Sequence, residues 1–421
     1  MFKRIMAIIF IFICASVAWA ILGGTIFQRT YDSSSTSGGS VESTWGTEQN
    51  QTPPTATFTT KVSRQEEGFD AGKKVMKTVF EDVITELPLE ASTIKVDLDL
   101  GHRQKGLLWY STYKVDFSGL YNFRNSSDKE QTVNFTLEFP TSQAIYDNLT
   151  FNVDGTPVKI NSHQSAASAE VKIAAGQVAQ LGVGYRSQGL DRWRYSFSES
   201  TVAQVRDFNL QMHTNFKDID FPQNTLSPSE KHETSNGWDL TWSYKNLLSG
   251  YQIAMEMPQK LQPGPLAGKI SFFAPVSLFF FFFLMLIITT LRGIDLHPMN
   301  YFFLAAAFFS FHLLLAYLVD HISIHASFAI ASAVSVFLVV SYLRLVVGIR
   351  FATREAAIAQ FIYLVMFSYA FFLKGFTGLA ITIGSVLTLF VVMQVTGKIR
   401  WAEKLGNTPA PPPAPQPTSA S

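Results

Sequence analysis

The chain has a single cysteine, Cys14. An intrachain disulfide and a cysteine-built metal cluster are therefore both excluded. It has almost no excess of charge, with 33 Lys and Arg against 32 Asp and Glu. That balance removes any bulk electrostatic case for a nucleic-acid partner. There is no Gly-x-Ser-x-Gly elbow, no His-Glu-x-x-His pair and no phosphate-cradling glycine loop. From Phe272 to Leu291 there is no charged residue at all. Charge is missing from whole stretches of the chain, so the neutral average conceals two different kinds of sequence.

What fills those stretches is apolar, and much of it aromatic. The chain carries 37 phenylalanines, and Phe279 to Phe283 are consecutive. About 20 apolar residues cross a bilayer as a helix, and six runs meet that length: 5–27, 272–291, 300–319, 323–343, 355–373 and 376–396. The predicted fold class is an α+β membrane protein. One N-terminal and five C-terminal transmembrane helices enclose, in sequence, a β-rich, sandwich-like extracytoplasmic domain. The expected divisions are an anchor (1–27), a flexible Ser/Thr/Gly-rich linker (28–58), the β-rich domain (59–268), a five-helix transmembrane domain (269–400) and a cytoplasmic Pro/Ala-rich tail (401–421). Ala18-Trp19-Ala20 also fits a signal-peptidase site, but apolar character continues through Phe27, which favours an uncleaved anchor.

Positive charge orients the spans. Lys3 and Arg4 precede the first, and Arg292, then Arg344, Arg350 and Arg354, then Lys398, Arg400 and Lys404 follow alternate later spans. Both termini are thus expected in the cytoplasm and residues 28–270 outside it.

In the intervening domain, Val75, Val79, Phe80 and Val83 have helical spacing, predicting a helix over 69–86 that ends at Pro88. Period-two alternation then takes over at Ile94/Val96/Leu98/Leu100, Val133/Phe135/Leu137/Phe139, Trp193/Tyr195/Phe197, Phe208/Leu210/Met212, Trp238/Leu240/Trp242/Tyr244 and Tyr251/Ile253/Met255/Met257. Asp154-Gly155 reads as a hairpin turn. His102, His163, His213 and His232 lack ligand spacing and read as surface or hydrogen-bonded histidines. Trp238 and Trp242 share a strand face and read as core. Asn50, Asn125, Asn134 and Asn148 head Asn-x-Ser/Thr sequons, which matter only where glycosylation occurs.

Polar residues inside spans are candidates for function because lipid burial is costly. They are His312, Gln360 and Gln394. Asp320, His321 and His325 cluster at an external turn, where two histidines four apart can share a helix face. With no third converging group, a hydrated interfacial cluster is the preferred reading over a metal site. Pro298 fits the first turn of a helix, where its missing N–H is no loss.

Leu296-His297-Pro298-Met299-Asn300-Tyr301, Leu313-Leu314-Leu315-Ala316, Asp320-His321 and Ala329-Ile330-Ala331-Ser332 occur in this order. This stretch resembles the membrane half of CreD, a bacterial inner-membrane family linked to cell-envelope integrity. The likeness is specific over about 290–345 and architectural elsewhere. It implies a multi-pass inner-membrane protein whose large domain is periplasmic, and it brings no catalytic residues with it. The expected function is non-enzymatic support of envelope integrity or stress response, with the external domain contacting an envelope partner. A transporter or channel-like path through the six helices is the alternative, and a membrane enzyme near Asp320, His321 and His325 a third reading. No catalytic residue, cofactor, metal or nucleic-acid partner is expected. The expected partners are the lipid bilayer and a periplasmic or envelope protein, and the oligomeric state is left open. Candidate functional residues are His297, Pro298, His312, Asp320 and His321.

Overall fold

The computed structural model describes residues 2–70, 73–105, 108–163, 165–198 and 202–397. The expected tail at 401–421 lies outside them. The chain divides into two compact units, one holding residues 1–34 and 261–421 and the other most of 35–260.

The second unit is built from three sheets. The largest has eight strands in the order β14 (Glu230–Glu233), β15 (Trp238–Ser249), β13 (Ala203–Thr214), β4 (Leu89–Lys105), β5 (Leu108–Arg124), β11 (Val178–Leu190), β7 (Asp147–Val153) and β8 (Thr156–Pro157). The five-stranded sheet runs β3 (Lys73–Glu86), β2 (Thr55–Asp70), β6 (Gln131–Glu138), β10 (Ala166–Ile173), β9 (Asn161–Ser162). A small third sheet joins β1 (Gln49–Gln51), β12 (Arg192–Tyr195) and β16 (Ile253–Glu256). Pairing is mostly antiparallel, except that β13 lies parallel to β4 and β1 to β12.

Period-two alternation explains the packing. Ile94, Val96 and Leu98 of β4 and Val133, Phe135 and Leu137 of β6 all point into one core, with polar neighbours outward. Phe123 and Phe135 meet edge-to-face at 5.7 Å and tie the large sheet to the five-stranded one. The layers therefore form a sandwich-like arrangement, with Trp242 fully buried in the same core and its indole N–H donating to the Leu226 carbonyl at 2.9 Å. The Asp154-Gly155 turn forms with positive φ at both residues, as a tight hairpin turn requires. Asn125 is fully buried and its amide donates to the Lys129, Ile173 and Ala174 carbonyls. That sequon is structural.

Two expectations are corrected here. The predicted helix over 69–86 is instead the second half of a hairpin, β3 pairing with β2 along fourteen positions from Thr57↔Glu86 to Asp70↔Lys73. The apolar spacing fits a helix, but β2 offers a full ladder of backbone partners, and tertiary pairing overrides local periodicity. The second correction concerns the linker over 28–58. Residues to Trp45 continue the first helix, and β1 and the start of β2 follow. A helix already nucleated extends at one hydrogen bond per residue. The Thr44 hydroxyl bonds the Ser40 carbonyl, Val41 is buried, and the Arg103 guanidinium lies 3.7 Å from the Trp45 ring. Gly46, at φ +98°, ends the helix with its N–H on the Glu42 carbonyl.

The first unit is helical. Its elements are α1 (Phe2–Trp45, shared with the other unit), α2 (Pro263–Phe272), α3 (Ala274–Arg292), α4 (Pro298–Leu318), α5 (Ile324–Val346), α6 (Ile349–Phe372) and α7 (Thr377–Thr396). Six of these are long and apolar enough to cross a membrane, all but α2. In lipid, apolar burial does not drive helices together; close packing does. Phe281 against Phe308 at 4.6 Å and Phe282 against Tyr301 at 5.3 Å supply it. α6 widens to π-helical pitch over Ala352–Ala356 and Phe361–Met366. α7 buries only Val392, leaving the rest of its apolar surface for lipid.

Candidate functional site

All five candidate residues belong to α4 or its two ends. His297 is the N-cap. Its Nδ1 accepts the Met299 N–H at 3.2 Å and its carbonyl accepts the Asn300 N–H at 2.8 Å. Pro298 occupies the first helical position, where its fixed φ is already helical. Together they set where α4 begins. The Asn300 side-chain oxygen then accepts from the Tyr342 hydroxyl at 2.7 Å, joining α4 to α5.

His312 sits midway along α4 and is fully buried. Its Nδ1–H donates to the Phe308 carbonyl at 3.0 Å. The ring stands edge-on to Trp19 of α1, with centroids 5.5 Å apart, and edge-on to Phe311 at 4.8 Å. Trp19 also meets Phe309 at 5.5 Å. This histidine fills the α1–α4 interface.

Asp320 lies just past the end of α4. Its carboxylate is held by Arg29 of α1 through two nitrogens, at 3.2 and 3.3 Å, while Arg29 also donates to the Ala316 carbonyl at 2.7 Å. The guanidinium lies 5.3 Å from the Tyr317 ring. One cation thus satisfies a free carbonyl of the last helical turn and a carboxylate at once. His321 is exposed in the turn, its backbone N–H on the Leu318 carbonyl. His325 packs against Phe372 at 5.3 Å. Among the described residues no group of three or more His, Cys, Asp or Glu is placed to hold a metal ion.

A second pair marks the other end of the same interface. Arg4 of α1 bonds Asp295, just before α4, at 2.7 Å. Arg4–Asp295 and Arg29–Asp320 each join residues 291 positions apart. The two helices therefore run parallel and advance in step, pinned at both ends with Trp19 and His312 between. Arg292 and Glu355 make a third such pair, linking the end of α3 to α6. A buried polar chain also runs Gln360 to Ser335 (2.8 Å) to the Ala307 carbonyl (2.6 Å), connecting α6, α5 and α4.

The structure does not bring the five candidates together. They are strung along α4, with His297 and Asp320 about 35 Å apart at the rise of a helix. Sequence reasoning missed Arg29, because residues from 28 onward read as linker. A signal was present: a lone arginine on the side of the membrane otherwise poor in basic residues. A groove of about 490 Å³ lined by Phe280, Tyr363, Met366, Ile381, Ser385 and Thr388 lies elsewhere in the unit, and none of the five borders it.

No curated protein matches the sequence. Among solved structures, a Legionella pneumophila protein described as nutrient-binding matches at 9% identity and a TM-score of 0.30, over 47% of this chain and 74% of its own. An M1 zinc metallopeptidase of Deinococcus radiodurans matches at 8% and 0.24, over 40% and 42%. Matches this weak bear on neither fold nor chemistry. The family comparison is of another order, since residues 1–402 match the model described as inner membrane protein CreD. With six membrane-length helices, a β-rich unit between the first and second, and a match over essentially the whole length, the chain belongs to the CreD family of inner membrane proteins.

Proposed function

We propose that this multi-pass membrane protein is a non-enzymatic support of cell-envelope integrity. Its β unit stands on the periplasmic side and engages an envelope protein, while both termini are cytoplasmic. The observation that carries the reading is how the membrane unit uses its polar side chains. Arg29–Asp320, Arg4–Asp295, His312 against Trp19 and the Gln360–Ser335–Ala307 chain each fasten one helix to another. A bundle whose polar groups hold it shut suits an anchor for an external domain. A conduction path calls for such groups to converge on a shared cavity.

The orientation follows from the basic residues beside Lys3, Arg292, Arg344 and Arg350. Parallel α1 and α4 fit six alternating spans, in which the first and third run the same way.

The test is complementation of an envelope-stress defect in a deletion strain, combined with crosslinking of the β unit in intact envelopes. Recovery of a defined periplasmic or envelope protein, with full complementation by His321→Gln, supports the reading. Solute flux through the purified protein in vesicles, or loss of complementation by His321→Gln at normal membrane levels, would overturn it.

A further inference from the structure

Many polar side chains of the helical unit tie one helix to another, but Arg344 does not. It lies exposed in the last turn of α5. Among the described residues no hydrogen bond or ion pair reaches its guanidinium, whose N–H groups all call for an acceptor. Tyr342 bonds Asn300, so Arg344 belongs to the end of the bundle where α4 begins. The described carboxylates at that end are Asp295 and Glu355, and Arg4 and Arg292 hold them. The unit's other two, Asp32 and Asp320, belong to the end marked by Arg29. Lys3, Arg350 and Arg354 add to the positive charge near Arg344. The described chain thus offers this guanidinium no carboxylate of its own.

Arg344 also lines a groove. α4 and α5 are fastened at two levels, by the Tyr342 hydroxyl on Asn300 at 2.7 Å and by the Ser335 hydroxyl on the Ala307 carbonyl at 2.6 Å. Along this seam runs a groove of about 470 Å³, lined among others by Phe303, Ala306, Leu338, Ser341 and Arg344. That is the size of a small-molecule pocket. A helix does not fit it, since three turns of one 10 Å across fill more than about 1,000 Å³.

The lining is graded along its length. Arg344 stands at the helix end, and Leu338 lies about 9 Å further in at the rise of a helix, with Ala306 and Ala307 across from it on α4. The two hydroxyl groups of the lining are already used inside the protein, Ser341 on the Leu338 carbonyl at 3.0 Å and Tyr342 on Asn300. Water needs several polar partners to occupy such a space, and the inner part presents apolar side chains. An occupant must therefore carry an anion at one end and hydrocarbon at the other. Phosphate is the anion that guanidinium geometry matches with paired hydrogen bonds, and an arginine in the last turn of a span reaches the headgroup level.

We propose that the groove between α4 and α5 binds an anionic phospholipid of the surrounding bilayer, with its phosphate on the Arg344 guanidinium and the start of an acyl chain along Ala306 and Leu338. A zwitterionic lipid brings its own cation and leaves the excess positive charge of this end unmatched. This inference is independent of the proposed function and holds for either orientation of the chain in the membrane.

The experiment uses the full-length protein in phosphatidylcholine vesicles doped with one of two probes, phosphatidylglycerol or phosphatidylcholine. Each probe carries a photoreactive diazirine near the head of one acyl chain. Labelling of peptides holding 303–307 and 338–345 is divided by labelling of α7, which buries only Val392 and reports general lipid contact. The ratio for phosphatidylglycerol is expected to be about fivefold that for phosphatidylcholine. Arg344→Gln should remove the preference, and Arg350→Gln, outside the lining, should keep it. Ala306→Trp should fill the groove and lower both ratios. Equal ratios for the two probes in the unaltered protein would overturn the proposal. So would an equal loss with Arg350→Gln, groove labelling that survives Ala306→Trp, or a preference abolished by inorganic phosphate but not by chloride at matched ionic strength.

Discussion

Arg29 is the residue through which the α1–α4 pair is most open to test. It meets a carboxylate, a backbone carbonyl and an aromatic ring, yet it is partly solvated, and exposed pairs are worth little. A double-mutant cycle of Arg29→Gln and Asp320→Asn, read by thermal unfolding in detergent, should give a coupling of about 1 kcal/mol. His321→Gln should leave the melting temperature unchanged. His312→Ala removes a buried ring from against Trp19 and should lower stability by about 2 kcal/mol, measured the same way. In the β unit, Asp191 is the carboxylate to watch. Burial, then the nearby Glu48, Glu256 and Glu42, push its pKa above the ordinary aspartate range. A carboxyl with a raised folded pKa favours the fold while protonated, and that contribution is lost as pH rises through the folded value. Asp191→Asn should therefore raise the melting temperature at neutral pH, with the gain vanishing as pH falls below about 4. Asn also tolerates the positive φ of 56° found there.

At the scale of elements, the contact of α2 with α1 depends on missing side chains. A Cβ on Gly264 would lie 2.6 Å from the Thr30 hydroxyl, and one on Gly268 would lie 3.1 Å from the Phe27 ring. Gly264→Val should separate the two helices and lower detergent stability by about 1–3 kcal/mol, whereas Gly378→Val, with open space around it, should be tolerated. In the sandwich, β6 supplies the matching test. Phe135 is fully buried and stacked edge-on with Phe123. Phe135→Asp places an unpaired charge between two sheets and should lower the stability of the β unit by about 4 kcal/mol or more. A melt followed by far-ultraviolet circular dichroism would show it.

The whole molecule is two independent cores on one chain. One is a β sandwich held by apolar burial in water. The other is a helix cluster in which fit between side chains, and a few polar clasps, do the holding. The expected topology is six spans with the β unit periplasmic. Reporter fusions within residues 49–58 and after Asn407 should report periplasm and cytoplasm respectively. A cytoplasmic signal from the first fusion would reverse the orientation.

Much of this architecture was legible in the chain itself. Length of apolar run determines a span, because the bilayer demands about 20 residues whatever the neighbours do; all six runs reappear in helices, five with bounds close to those expected and the first continuing well past its apolar end to Trp45. Strict alternation likewise determined β4, β6, β13 and β15, since one face must be buried. Pro298 and His297 were readable as a helix start because capping is local. Tertiary structure alone decided the rest. Residues 28–45 are low in apolar content, and their helix depends on a span before it and on Val41 and Trp45 finding partners. Residues 73–86 carry a helical period and become a strand because β2 supplies fourteen pairing positions. Asp320 read as part of a hydrated cluster at an external turn. Its partner is Arg29, 291 positions away, because α1 and α4 run in parallel step, and no local pattern encodes which helices become neighbours.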